Sequence, residues 1–281
     1  FKKRAIALFS LCIVLFANTS ASAQTSAKHR LIVITDIGNE PDDFMSMVRL
    51  MLYSNQIDIE GLIASTSIHQ SKKVSPDLIE KVINAYAKVQ PNLLKHEPGF
   101  PAAQKLLSLV KKGLPVYGME GVGEGKDSEG SDWIIKVLEK NDSRPLWVTV
   151  WGGPNILAQA LYKIRATKSE AEAKRLISKL RVYTISDQDN TGPWIRKNFK
   201  DLFYISSPGS YLKATWIAIN QPFPGANNEV VSNPWLLQNV QQGHGPLGAI
   251  YPDVSFGMEG DTPSWLALIS RKQISSAPCA S

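Results

Sequence analysis

The chain has 281 residues, 43% of them hydrophobic and 20% charged, which is too apolar and too lightly charged for a disordered protein. Its 19 glycines and 17 prolines fall in no repeat, which excludes collagen-like and low-complexity chains, and two cysteines exclude a disulfide scaffold or a Cys-rich zinc site. The formal net charge of +6 points at first towards nucleic acid, an impression the amino terminus corrects.

Lys2, Lys3 and Arg4 precede an apolar run over Ala5–Ala17, and Ala21-Ser22-Ala23 follows as a small-residue cleavage site. This is the order of a secretory signal peptide over residues 1–23, so a secreted or periplasmic location is expected. The run, of about 13 residues, falls short of the roughly 20 that span a bilayer, and no membrane partner is expected. Losing three cations and no acids takes 31 basic residues to 28 against 25 acidic ones, with no Lys/Arg run, so nucleic-acid binding loses its support. Cys12 leaves with the signal and Cys279 remains in a polar tail. Opening on Phe rather than Met, the sequence reads as a fragment.

Leu31–Asp36 is a β-branched run, and Phe44–Tyr53 has helical apolar spacing. Ile57–Ala64 predicts a second strand, Pro76–Val89 and Ala102–Lys112 predict helices, and Pro115–Tyr117 a short strand. After the glycine-rich Gly118–Gly130 come a helix over Ser131–Lys140, a strand over Pro145–Trp151, and helices over Asn155–Ile164 and Glu170–Leu180. Arg181–Ser186 and Leu202–Ile205 return to strand character. This alternation predicts one α/β domain over residues 30–270, a mostly parallel central sheet with helices on both faces, and a tail or truncated linker over 271–281. Ligands of such sheets bind beyond the carboxyl ends of the strands.

Beyond the first strand the chain is unusually acidic. Asp36 ends the strand, Gly38-Asn39-Glu40-Pro41 turns, and Asp42-Asp43 opens the helix. Helix capping explains one aspartate of the pair. It leaves the others crowded, and like charges so close are costly unless a cation or shared proton offsets them. Oxygen-only ligands favour Ca²⁺ or Mg²⁺ over zinc.

The stretch VITDIGNEPDDFMSM resembles the amino-terminal signature of the nucleoside hydrolases, in which a strand runs into D-x-D-P-G-x-D-D-A. Val150–Leu161 resembles that family's T-G-P-L-T-N-I-A-x-A-L turn, and Glu259–Trp265 sits where the family has H-D-x-x-A. The resemblance implies a Rossmann-like nucleoside hydrolase fold and a Ca²⁺ ion held by Asp36, Asp43, the carbonyl of Trp151 and Asp261. Asp42 would bind ribose or act as the base on the attacking water, and Asn155 would brace the turn or meet substrate. His69, Asn227, Glu229 and Glu259 are implied to bind substrate. The chain departs from the pattern at Ile34, in place of the first Asp of D-x-D, and at Gly260, where many members have a His thought to assist base departure. TISDQDNTGPWIRKNF, Asn233-Pro234-Trp235, GHGPLGAIYP and MEGDTPSWL resemble an exported branch, the nucleoside hydrolase-like domain first named from a cellulose-binding protein.

Two functions are therefore expected in competition. One is an exported Ca²⁺-dependent glycosidase acting on N-ribosyl or related bonds, with Glu229, Asp187, Asp189 and His244 as candidate leaving-group acids. The other is a glycan-binding or wall-associated module that keeps the metal and sugar site without turnover. The expected partners are a nucleoside or glycoside, a polysaccharide in the second reading, and a further copy of the chain, since family members often form dimers or tetramers.

Overall fold

Every side chain of the first strand, Arg30–Thr35, is buried, as expected of a central strand covered on both faces. Its alternate residues feed two cores: Leu31 and Val33 pack on one side of the sheet, Ile32 and Ile34 on the other. The structure, a computed structural model, describes residues 27–207, 224–225, 227–255 and 257–270, so the expected signal peptide and the tail lie outside the described residues.

Six strands form the sheet: β1 (Arg30–Thr35), β2 (Asp58–Ala64), β3 (Val110–Lys112), β4 (Leu146–Val150), β5 (Leu180–Thr184) and β6 (Phe203–Ser206). All neighbouring pairs are parallel, in the spatial order β3-β2-β1-β4-β5-β6. The main helices are α1 (Asp42–Leu52), α2 (Pro76–His96), α3 (Ala103–Ser108), α4 (Glu129–Glu139), α5 (Asn155–Thr167), α6 (Glu170–Ser178), α7 (Thr191–Asn198) and α8 (Thr262–Ser270). Helices α1, α2, α3 and α8 build the core on the Leu31 face, and α4 to α7 build the one on the Ile32 face. Each fully buried Leu, Ile or Val in these cores contributes about 1.5–3 kcal/mol. No helix among the described residues is long and apolar enough to cross a membrane.

The fold class expected from the alternation is the one observed, with local corrections. The segment read as one helix over Ala102–Lys112 divides: α3 stops at Ser108, and Val110 pairs with Leu62 as the edge strand β3. The short strand expected at Pro115–Tyr117 is irregular backbone instead. Helix α2 runs seven residues beyond Val89 and through Pro91.

Candidate metal centre

The strand order reverses between β1 and β4, from which the chain departs towards β2 and β5 respectively. Such a switch point opens a crevice at the carboxyl ends of the two strands. Asp36 is the first residue beyond β1, and Trp151-Gly152-Gly153 are the first beyond β4, joined to β1 by a Trp151 N–H bond to the Ile34 carbonyl at 2.8 Å.

Four aspartates converge there. Asp36 is 2% exposed, Asp42 6%, Asp43 4% and Asp261 1%. The carboxylate oxygens of Asp42, Asp43 and Asp261 lie within 4.8 Å of one another. Asp36 stands beside this trio, and its charge acts on Asp43 and Asp261. Burial, reinforced by the neighbouring carboxylates, holds Asp43 and Asp261 well above the usual carboxylate range. Burial also pushes Asp36 up to about 7, against a hydrogen bond with Ser67 that favours its charged form. The Thr35 hydroxyl donates to Asp43 Oδ1, and Gln70 Nε2 donates to the Asp36 carbonyl at 3.0 Å. Asp36 Oδ2 and Asp261 Oδ2 are buried without a hydrogen-bond partner.

This donor set fits a hard divalent cation. It offers carboxylate oxygen alone, and two ligands at about 2.4 Å on opposite sides of a Ca²⁺ would stand about 4.8 Å apart. The Trp151 carbonyl accepts from Gln188 Nε2 at 2.6 Å and keeps a second lone pair. The indole of Trp151 donates to Ser264 Oγ at 3.0 Å, and that hydroxyl donates to the Asp261 carbonyl at 2.7 Å, tying the β4 exit to the α8 turn.

The two glycines after Trp151 leave room for carboxylates. A Cβ at Gly152 would lie 2.6 Å from Asp36 Oδ1, and one at Gly153 would lie 2.4 Å from Asp189 Oδ2. Asp189 is 4% exposed, and its Oδ1 accepts from the Thr191 amide at 2.7 Å and from the Thr191 hydroxyl at 2.5 Å. Its Oδ2 makes no hydrogen bond of normal geometry, although the amides of Asn155 and Gly192 lie close enough to favour its charged form. Burial outweighs those groups and raises Asp189 above its ordinary range.

The other candidates separate clearly. Asn155 braces the turn: its Nδ2 donates to Thr66 Oγ1 at 3.0 Å and to the Val116 carbonyl at 2.8 Å, and its Oδ1 accepts from Ile156 N–H. Asp187 forms a two-point ion pair with Arg196, at 2.8 and 2.7 Å. His69 is exposed, with Nδ1 3.9 Å from Glu40 Oε1. Asn227 and Glu229 are exposed, with the Asn227 side chain accepting from the Glu229 amide, and no contact described joins them to the aspartates. His244 bonds the Gln238 carbonyl at 3.2 Å, away from the cluster. Glu259 turns aside into an ion pair with Arg49 and accepts from the Tyr251 hydroxyl at 2.7 Å. Ser67, Gln70 and Gln188 complete the surroundings of the cluster, and sequence reasoning does not find them. A hydroxyl or amide bonded to one carboxylate or carbonyl leaves no spacing pattern.

Comparison with known proteins places the chain in a family. A nucleoside hydrolase-related hypothetical protein from Saccharophagus degradans, associated with carbohydrate metabolism, is 41% identical with a TM-score of 0.76; the match covers 86% of this chain and 55% of that one. This chain therefore spans about half the length of that relative. A plant nucleoside hydrolase, PpNRh1, matches over 88% of this chain and 80% of its own at a TM-score of 0.50 and 11% identity, a likeness of fold alone. No curated protein matches. The family described as cellulose-binding Sde182, nucleoside hydrolase-like domain, matches residues 30–277. The chain belongs to this family of nucleoside hydrolase-like domains.

Proposed function

We propose that the protein is an exported Ca²⁺-dependent hydrolase of N-ribosyl or related glycosidic bonds. The observation behind this reading is the buried aspartate cluster at the switch point, with unpartnered oxygens on Asp36 and Asp261. Several carboxylates buried together are costly unless a cation or protons offset them. Asp36, Asp43, Asp261 and the Trp151 carbonyl would hold the ion. Bound calcium would supply charge that grips the sugar's vicinal hydroxyls and acidifies a water.

The chain's own groups supply the rest. Asp42, in the first turn of α1, takes a proton from the attacking water. The water oxygen bonds to the anomeric carbon as the bond to the aglycone breaks, through an oxocarbenium-like transition state. The leaving group takes a proton from Asp189, whose carboxyl is inclined by burial to hold one. The closed packing around Gly152 and Gly153 keeps the carboxyls of Asp36 and Asp189 beside the crevice.

A second reading is favoured by Gly260, where a leaving-group histidine is missing, and by the family and its Saccharophagus member, described as cellulose-binding and as associated with carbohydrate metabolism. In it the site holds metal and sugar without turnover. Calorimetry with calcium, with and without ribose, together with hydrolysis of nucleosides and of a nitrophenyl riboside, separates the two. The enzyme reading expects Asp42→Asn, measured at saturating calcium, to lower kcat about a hundredfold or more. Ribose binding without product from the wild type would establish the second. Residues 1–23 fused to a reporter test export, with the reporter expected outside the cytoplasm.

A further inference from the structure

A cavity of about 830 Å³ opens on the flank of the molecule, between the carboxyl-terminal halves of α1 and α2 and the segment from Val230 to Glu259. It is of a size that encloses a small ligand (about 300–1,000 Å³), and none of the four clustered aspartates lines it. Leu52, Val89, Leu93, Val240 and Met258 make its walls mostly apolar, and Trp235 stands half-buried among them. One wall has a rare backbone: Leu237–Gln241 is π-helical, a geometry that recurs at functional sites.

The charge of this cavity is positive. Lys88, His96 and His244 line it beside Arg49, and Glu259 is the only acid among the lining residues. That acid is already engaged, since Glu259 forms an ion pair with Arg49 and accepts from the Tyr251 hydroxyl at 2.7 Å. The two charges cancel. Glu259 also has φ 53°, left-handed backbone that is costly for any residue but glycine, and this turn keeps its carboxylate on Arg49. The Lys88 ammonium is left in excess, without an ion-pair partner among the described residues, and His96 and His244 add to it whenever they are protonated.

The geometry gathers these groups at one side of the mouth. Lys88, Asn92 and His96 follow one another at four-residue steps along α2 and so form one row. Asn92 Oδ1 accepts from Lys95 Nζ at 3.1 Å, which leaves the Asn92 amide N–H groups to donate beside the ammonium. A Cβ on Gly245 would lie 3.9 Å from Val89 Cγ1, so the turn carrying His244 comes against the stretch of α2 carrying Lys88. Lys88 stands about two turns before the end of α2, beyond the reach of the partial negative charge on its last carbonyls. Asp77 and Glu80, further back on α2, line a neighbouring groove and not this cavity.

This combination suits an apolar body carrying one negative group. A phosphate seeks a guanidinium fork, and that of Arg49 is taken; a single carboxylate is satisfied by an ammonium and an amide. The indole of Trp235 and the thioether of Met258 favour an aromatic body, through ring stacking and sulfur–ring contact. We propose that the flank cavity binds a small aromatic carboxylate, its ring against Trp235 and its carboxylate at Lys88 and Asn92. The site is separate from the aspartate cluster and independent of the function proposed for it.

The test is calorimetry of the whole chain at pH 7 in EDTA, which silences the metal centre. The probes are naphthalene-2-carboxylate, the uncharged naphthalene-2-carboxamide, and decanoate. Saturable binding of the naphthoate is expected, about fivefold or more tighter than the amide and tighter than decanoate. Lys88→Gln is expected to weaken the naphthoate about fivefold and to leave the amide within about twofold; Lys88 is exposed, so this variant keeps the fold. Trp235→Ala should weaken both naphthyl probes about tenfold, with circular dichroism confirming that it is folded. Lys81→Gln, in the neighbouring groove, should leave both within about twofold. No binding of the naphthoate, equal binding of acid and amide, decanoate bound more tightly than the naphthoate, or binding unchanged by Lys88→Gln would overturn the proposal. Failure of the hydrolase reading would leave these results unchanged, because calcium is absent throughout.

Discussion

At Gly152 one methyl group separates a packing role from a metal role. An added Cβ would stand 2.6 Å from Asp36 Oδ1 and 2.8 Å from its Cβ and Cγ, and so short a side chain has no other place to go. Gly152→Ala is expected to cost about 1–3 kcal/mol as over-packing and to weaken calcium binding about tenfold or more. Gly123→Ala is the control: nothing lies within 4 Å of its Cβ position, so any loss there is backbone strain at φ 138° and calcium binding stays the same. Thermal melts and calorimetry read both. The same scale shows what a sequence exposes. Asp36, Asp42 and Asp43 are legible because acids crowded at a strand's carboxyl end have few structural uses, and Asp261 because a second segment matched the family. Glu259 is not legible, since its direction is set by a positive φ that no spacing reveals. Gln188 sits unnoticed between two flagged aspartates, its role visible only where its amide meets the Trp151 carbonyl.

Among the elements, α4 starts on a cap that runs in both directions. Ser128 accepts from the Ser131 amide, and Ser131 accepts from the Ser128 amide in return, a reciprocal cap after the glycine-rich loop. Ser128→Ala is expected to lower stability by about 1 kcal/mol in chemical denaturation, with calcium binding unchanged. The pattern of apolar residues locates this helix within a few positions, as it does β1, β2, β4 and β5. It fails where two periods fit one run. Leu106-Leu107 and Leu109-Val110 satisfy a helix as well as a turn into a strand, and pairing of Val110 with Leu62 decides the matter. It fails again at Pro91, where a proline inside the pattern predicts an end. The ring is exposed there, and the helix continues to His96 with Leu93 packed against the core beyond it.

For the whole molecule, the two ends of the sheet have divided their work: the aspartates lie at the carboxyl end, and the charge that holds the fold lies at the other. Arg30 opens β1 with its side chain fully buried, where it donates to Glu60 and to the carbonyls of Arg144, at 3.3 Å, and Val137, at 3.1 Å. Glu60 is shared with Lys140 at 2.6 Å, and Asp142 lies 3.5 Å from Arg30 and 2.7 Å from Arg144. Burial alone would raise Glu60, but hydrogen bonds from Arg30 and Lys140 outweigh it and hold the carboxyl below its ordinary 4.5. The Arg144 guanidinium holds Asp142 well below the usual range. Carboxyls depressed in the folded state contribute stability that is complete above their unfolded values and lost as pH falls through the folded ones. Asp36, Asp43, Asp261 and Asp189, raised in the folded state, act with the opposite sign in the metal-free protein, so its melting temperature should rise as pH falls from about 7 towards about 4.5 and then fall below that as the depressed carboxyls are protonated. Glu60→Gln leaves a buried guanidinium with only part of its counter-charge and is expected to cost about 3 kcal/mol at pH 7, less so far as Asp142 compensates. It should also flatten the acid slope, since one of the titrating groups is gone. Calcium binding by this variant should match the wild type, because Glu60 sits at the amino end of β2 and the cluster lies beyond the opposite end of β1. Loss of calcium binding in Glu60→Gln would mean that the two ends of the sheet are coupled through β1 and that the cluster depends on the charge network beneath it.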